Sequence, residues 1–270
     1  METRVSIVST VKNGENTIEQ MITSVLDQSY KNIELIIVDD GSTDNTLNIL
    51  KKYEKKESRI VIIPTTGIGR VNALNLAIGK SNGEYVSNLD ADDVIHPEKI
   101  QIQVENMNKK KNAFLLATET VIIHDSNIAE WSELTHNYKL KKVDSTLFYS
   151  NTINHSSVLM RKEILLQLGS YNENQISQID YELWLRAFDN GKQMFIIPLP
   201  LTGKRIHQNQ SFENKNRIGY TFRSFKLQMK YIFKNPKYFK YSIIILATFL
   251  LAQLPFSIRR KIKSVIGGRL

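Results

Sequence analysis

The sequence predicts an α/β fold on a mostly parallel central sheet, followed by a C-terminal helical tail that is both basic and apolar. Three observations lead there. Short apolar runs alternate with helical spacings through the first hundred residues. Two of those runs stop at acidic clusters, Asp39-Asp40 and Asp90-Ala91-Asp92-Asp93. The excess positive charge is confined to the last sixty residues.

Each element follows in order. Val5–Val8 is a first apolar run, and Ile18, Ile22 and Val25 fall at helical spacing after it. Ile33–Val38 is apolar on both faces, as a central parallel strand must be, and stops at Asp39-Asp40-Gly41-Ser42. Thr43 or Asp44 can cap the next helix, whose apolar face is Leu47, Leu50 and Tyr53. Ile60–Ile63 is a third strand closed by Pro64, and Ala73, Leu74, Ala77 and Ile78 mark a helix. Tyr85–Leu89 is a fourth strand, and Pro97 suits the first position of the helix beyond it. Further on, strands are expected at 113–117, 119–124 and 194–197, with a helix from Ile179 to Phe188.

Composition narrows the class. The 270 residues are 41% hydrophobic and 23% charged, which excludes a disordered chain. With no cysteine, disulfide scaffolds, thiolate zinc sites and cysteine nucleophiles are excluded too. Met1-Glu2-Thr3-Arg4 is too short and polar for a secretory leader.

The net charge of +9 divides unevenly. From Ser211 onward there are thirteen Lys or Arg against one acid, Glu213, whereas residues 1–210 carry a net −3. A boundary is therefore expected at 210/211. In the tail, Ile218, Phe222, Phe225, Met229 and Ile232 form one helical stripe, with Arg223, Lys226, Lys230 and Lys234 largely opposite. Lys240 and Arg259 then bracket eighteen uncharged residues, interrupted distally by Gln253 and Pro255. A crossing needs about 20 apolar residues, so an interfacial or re-entrant helix is expected. Basic residues on both flanks favour the cytoplasmic face of an anionic membrane, with no nucleic acid as partner.

Parallel sheets bind ligands at the carboxyl ends of their strands, where the acids sit. Of two alternating carboxylates such as Asp90 and Asp92, one can hold a divalent cation while the other meets a ribose or a bound water. Hard oxygen ligands suit Mg²⁺ or Mn²⁺. The same residue types also make ordinary turns and caps. What favours a site is that both acidic loops fall on one sheet edge.

The motifs taken together resemble a family 2 glycosyltransferase. The similarity runs through Val8-Ser9-Thr10-Val11-Lys12-Asn13-Gly14-Glu15, Ser24–Tyr30, Glu34–Asp44, Ala73-Leu74-Asn75 and Gly83–Asp93, covering roughly residues 4–210. The resemblance implies a GT-A fold, with residues 1–210 as the transferase domain; the charge and apolar pattern mark 211–270 as a membrane-associating tail. It implies a nucleotide-diphosphate sugar donor, a UDP-sugar first, with Mg²⁺ or Mn²⁺. Thr10, Val11, Asn13, Glu15, Asp39, Asp40, Asn75, Asp90 and Ala91 would then hold the donor, and Asp92 the metal. His155 and Arg161, in His155-Ser156-Ser157-Val158-Leu159-Met160-Arg161, resemble the acceptor side. Asp180, in Asp180-Tyr181-Glu182-Leu183-Trp184-Leu185-Arg186, resembles the general base of an inverting enzyme. Most relatives place an acid just before that Asp, and here the residue is Ile179. His207 resembles a late histidine that reaches the metal or diphosphate. The acceptor class implied is a lipid-linked or surface glycan.

Other readings are weaker. A sugar-phosphate nucleotidyltransferase opens with a Gly-rich phosphate loop, but the first strand here runs into Ser9-Thr10-Val11-Lys12-Asn13 with one glycine. An aspartyl phosphohydrolase carries its acids on the first strand. A non-catalytic nucleotide-sugar binder has only Ile179 in its favour.

Overall fold

The computed structural model describes residues 2–124, 129–135, 137–206, 217–254 and 258. By contact the chain divides into two units: 1–143, 153–175 and 179–207 in the first, and 144–152, 176–178 and 208–270 in the second.

The first unit is built on one nine-stranded sheet. In its parallel part β1 (Val5–Val11) is flanked by β2 (Ile33–Asp39) and β4 (Tyr85–Asn88), with β3 (Ile60–Pro64) parallel outside β2. Every residue of β2 is buried, which accounts for the unbroken apolar run Leu35–Val38 within it. Beyond β4 the order continues through β8 (Leu159–Arg161), β6 (Ala113–His124), β9 (Gln193–Ile206) and β5 (Val94–Ile95). Short β7 (Lys141–Lys142) also pairs with β9. β5, β7 and β8 run antiparallel to their neighbours, so the sheet is mixed beyond β4.

Helices α1 (Ile18–Leu26), α2 (Thr46–Glu54) and α3 (Arg70–Lys80) connect the parallel strands as crossovers. α4 (Lys99–Lys109) follows the acidic turn, α5 (Lys162–Gln167) follows β8, and α6 (Ile179–Asp189) precedes β9. Ile18, Met21, Ile22 and Val25 of α1 join Ile7, Leu35 and Ile37 of the sheet in the core.

Three details differ from the sequence reading. The strands expected at 113–117 and 119–124 are one strand, β6, with register shifts around Thr118–Thr120. Opposite that irregularity β9 carries Pro198 and Pro200, which lack the N–H a ladder needs, so the pairing slips rather than stops. β9 therefore extends well past the expected 194–197. Pro97 lies before α4, whose N-cap is Glu98, and its carbonyl accepts the Ser29 N–H at 2.8 Å.

The second unit contains α7 (Arg217–Lys234) and α8 (Tyr241–Gln253), joined by a turn through Pro236–Tyr238. Within it, the Phe249 ring lies 4.8 Å from Phe225, and Gln253 Nε2 donates to Thr221 Oγ1 at 2.9 Å. Among the described residues no helix is long and apolar enough to cross a membrane.

Candidate active site

The ends of β1, β2 and β4 lie side by side, because Val11 is in register with Asp39 and Val8 with Asn88. The segments leaving β1 and β2 are zipped together. Asn13 takes a left-handed backbone (φ 57°), and its Oδ1 accepts the Thr43 N–H at 2.8 Å. Ser42 Oγ accepts the Asn13 N–H at 2.9 Å, and Thr46 Oγ1 accepts the Gly14 N–H at 2.8 Å. Glu15 Oε2 accepts the Asn45 N–H at 2.9 Å, while Asp44 Oδ2 accepts the Glu15 N–H at 3.2 Å. Asp44 also accepts the Thr46 N–H at 3.0 Å, but the N-cap of α2 is Asn45, one residue beyond the caps expected from sequence, and it makes no side-chain capping bond. These bonds hold the two segments together.

Asp39 and Asp40 then diverge. Asp39 Oδ1 accepts the Ser42 N–H at 2.9 Å. Asp40 spends both oxygens on the loop after β3: Oδ1 on Thr65 Oγ1 (2.9 Å) and the Ile68 N–H (2.6 Å), Oδ2 on the Gly69 N–H (3.0 Å). Gly69, at φ 88°, turns that loop into α3 and delivers Arg70 to the site.

Arg70 meets the acidic turn. Its Nη2 lies 2.7 Å from Asp90 Oδ1 and 3.3 Å from His155 Nδ1. His155 Nε2 is 2.7 Å from the Tyr171 hydroxyl, and Asn88 Nδ2 lies 3.0 Å from His155 Nδ1. Burial alone would raise the Asp90 carboxyl, but Arg70 and His155 more than offset it and hold Asp90 ionised, below the ordinary carboxylate range. The Asp90 charge in turn holds the Arg70 proton more tightly, with Asp180 adding to it. Burial, then Asp180 and Asp90, push the Tyr171 hydroxyl up, so it stays neutral. Asp180, in the first turn of α6, thus acts electrostatically on the same cluster. Arg186 of α6, paired with Glu182 at 2.9 Å, donates to the Ser170 carbonyl at 2.7 Å and ties the helix to the turn that carries Tyr171.

Beneath the acidic turn sits a second layer. Lys99 is fully buried, its Nζ donating to Ser87 Oγ (3.3 Å) and the Ser156 carbonyl (3.2 Å). Ser156 Oγ accepts the Asp90 N–H at 3.1 Å and hydrogen-bonds the Asp93 carboxyl. Asp93 Oδ1 accepts the Arg205 N–H at 2.9 Å, and Arg205 Nε donates to the Asp92 carbonyl at 2.9 Å. Burial, with Asp90 and Asp92 nearby, raises Asp93 to about 8; burial lowers Lys99 to about 7, with Asp93 opposing. Thr17 Oγ1 donates to the Ala91 carbonyl at 3.1 Å, fixing the turn from the α1 side.

Comparison with known proteins places the chain in a family. The sequence profile described as Glycosyl transferase family 2 matches residues 6–169. The chain belongs to glycosyltransferase family 2. An uncharacterized glycosyltransferase of Rickettsia prowazekii is 35% identical over 211 residues, 77% of this chain and 65% of that protein. The chain thus spans about two thirds of that relative's length. A second, from Haemophilus influenzae, is 32% identical over 228 residues, covering 82% of this chain and 83% of its own. Among solved structures, S. aureus TarS 1–349 in complex with UDP-GlcNAc superposes with a TM-score of 0.71 at 19% identity, over 99% of this chain and 76% of its own. The mannosyltransferase PcManGT from Pyrobaculum calidifontis, in complex with GDP-Man and Mn²⁺, gives 0.66 at 14% identity, over 92% and 70%. These likenesses establish the GT-A fold of the glycosyltransferase.

In this glycosyltransferase, Thr10, Val11, Asn13, Glu15, Asp39, Asp90, Ala91 and Asp92 gather at one sheet edge, and the Asp180 charge is near enough to act on Arg70 and Tyr171. Four of the expected residues are held by contacts within the fold. Asp40 is closed off by its three loop hydrogen bonds. Asn75 uses both ends of its amide on the Tyr171 backbone, at 2.9 and 3.0 Å, and so positions that residue instead of touching a donor. Arg161 pairs with Tyr85 at the amino end of β4, the far end from Asp90, and donates to the Ala113 and Met107 carbonyls. His155 is buried against Arg70 and Asp90. His207 lies outside the described residues. Arg70, Lys99 and Ser156 were not singled out from sequence. Arg70 carried a signal, since a cation opening a helix opposes the helix dipole and so invites a functional reason.

Proposed function

We propose that this glycosyltransferase moves a sugar, with inversion, from a nucleotide-diphosphate sugar to a hydroxyl of a lipid-linked or surface glycan. The observation that carries the reading is the cluster of Asp90, Arg70 and Asp180 at the carboxyl edge of β1, β2 and β4. The solved folds bound to UDP-GlcNAc and to GDP-Man support a donor of this class, with a UDP-sugar as first choice. The basic and apolar C-terminal unit supports an acceptor presented at a membrane.

The zipped wall from Asn13 to Asp44 suits a flat base, and a carboxylate such as Asp39 can accept an imide N–H. Arg70 can pair with diphosphate oxygens as readily as with Asp90. Among the described residues no three His, Asp or Glu side chains converge on a metal. Two hard carboxylates, Asp90 and Asp92, do fit Mg²⁺ or Mn²⁺ when substrate phosphates complete the ligand set, as those ions prefer. A cation held there would neutralise charge growing on the leaving diphosphate. Asp180 takes the proton from the acceptor hydroxyl as that oxygen attacks the anomeric carbon from the face opposite the diphosphate. The Tyr171 hydroxyl, kept neutral, cannot compete with Asp180 for that proton.

Hydrolysis measured across a panel of nucleotide sugars with Mn²⁺ tests the donor class. Turnover of at least one member, absent without donor diphosphate, is expected; inertness toward the whole panel would defeat the reading.

A further inference from the structure

Helix α8 is apolar all round: from Tyr241 to Gln253 it carries no charged residue. Its inner face is packed, with Ile245 fully buried and the Phe249 ring lying 4.8 Å from Phe225 and 6.2 Å from Phe222. Its other face is not. Phe239, Ile243, Leu246 and Leu250 recur at spacings of four, three and four, one stripe of a helix, and are 54%, 74%, 48% and 56% exposed. Phe233, 65% exposed, sits beside Phe239 at 6.2 Å and extends the stripe across the turn. A contiguous apolar surface of this kind calls for an apolar phase to cover it.

The surroundings say which phase. Lys230, Lys234, Lys237 and Lys240 are all exposed around the turn between the helices. Their ammonium groups lie over tyrosine rings: Lys234 at 5.5 Å and Lys230 at 5.7 Å from Tyr231, Lys237 at 4.8 Å from Tyr238, Lys240 at 5.2 Å from Tyr241. Tyrosine with snorkelling lysine above an apolar stripe matches the layering of a lipid headgroup region. Residues 217–254 contain no Asp or Glu, so a second copy would set like charges against each other. Nucleic acid would leave the apolar stripe in water. Thirteen helical residues span about 20 Å, short of the ~30 Å hydrocarbon core, which fits lying in the interface and not crossing.

We propose that α8 and the turn before it form a lipid-docking surface, with Phe233, Phe239, Ile243, Leu246 and Leu250 immersed at the acyl boundary and the four lysines on anionic headgroups. The anionic leaflet in question is the cytoplasmic one. This docking does not depend on the sugar chemistry, so either can fail alone.

Flotation of the full chain tests it, using vesicles of phosphatidylcholine alone and of mixed phosphatidylcholine and phosphatidylglycerol. Wild type should float with the mixed vesicles and bind neutral ones at least about tenfold more weakly. Ile243→Ser with Leu246→Ser, and separately Lys234→Glu with Lys237→Glu and Lys240→Glu, should each lower partition at least about tenfold. All five positions are exposed, and an unchanged thermal transition would show that the fold is kept. Wild type left in solution by both vesicle types would overturn the proposal, as would variants that float like wild type. A dimer seen by light scattering that the Ser variant dissolves, without vesicle binding, would assign the stripe to a second copy instead.

Discussion

Arg70 and Asp90, twenty residues apart in sequence, form an ion pair of 2.7 Å at the point where the acidic turn meets the loop after β3. Both are partly open to solvent, so the pair is a reservoir of charge for a ligand more than a structural clamp. A donor diphosphate can take over the guanidinium and release Asp90 to a ribose or a cation. Arg70→Ala should therefore lower kcat/KM on the order of 10²-fold, the usual cost of losing one aimed cationic donor. Arg70→Lys should recover part of it, because Lys keeps the charge without the fork. Steady-state kinetics on the donor found by panel screening check this, and an Arg70→Ala enzyme of wild-type efficiency contradicts it.

Asp180→Asn removes the proton acceptor and keeps the shape. Transfer should slow by roughly 10²–10⁴-fold while donor affinity stays within a few-fold. Product analysis should show the anomeric configuration opposite to the donor's; retention would remove Asp180 from this role regardless of the mutant's rate.

Lys99 makes a pH prediction. In the folded chain it releases its proton near 7, whereas the unfolded chain keeps it to its ordinary 10.5. The unfolded state thus binds more protons between those values, and stability rises with pH across that window. Asp93 works the other way, holding a proton up to about 8 that the unfolded chain loses near 3.8, so its contribution falls as pH rises through that lower range. From pH 8 to about 9.5 the Lys99 effect dominates; above that the raised hydroxyls of Tyr30, Tyr85 and Tyr171 begin to oppose it. Urea unfolding of wild type should show a gain of roughly 1–2 kcal/mol between pH 8 and 9.5. Lys99→Met should abolish that gain, and a mutant that keeps it would mean Lys99 stays charged in the fold.

What the sequence made legible was what depends on neighbours along the chain. The run Ile33–Val38 announced a strand buried on both faces, and Asp90-Ala91-Asp92 announced a strand-end turn, because both patterns are local. Lys99 reads locally as a surface residue opening a helix; only the fold places it under Ser87 and Ser156, far away in sequence. Asp40 and Asn75 were recognisable as residues, but residue type does not say which way a side chain points, and both point into loops they hold together. Arg161 sits on a three-residue antiparallel strand that reverses the sheet's direction, so its end of the strand is the wrong one for the site. Pro198 and Pro200 read as strand breakers, yet β9 absorbs them by slipping register against β6.

The central claim is that the turn at Asp90–Asp92 binds a nucleoside diphosphate together with a divalent cation. Calorimetric titration of UDP into the full chain, with and without Mn²⁺, tests it directly, for wild type and Asp92→Asn. Wild type should bind UDP at least about tenfold more tightly with Mn²⁺, and Asp92→Asn should lose that difference while keeping its thermal transition. Equal UDP affinity with and without Mn²⁺ in wild type, or an undiminished Mn²⁺ effect in Asp92→Asn, would contradict the account.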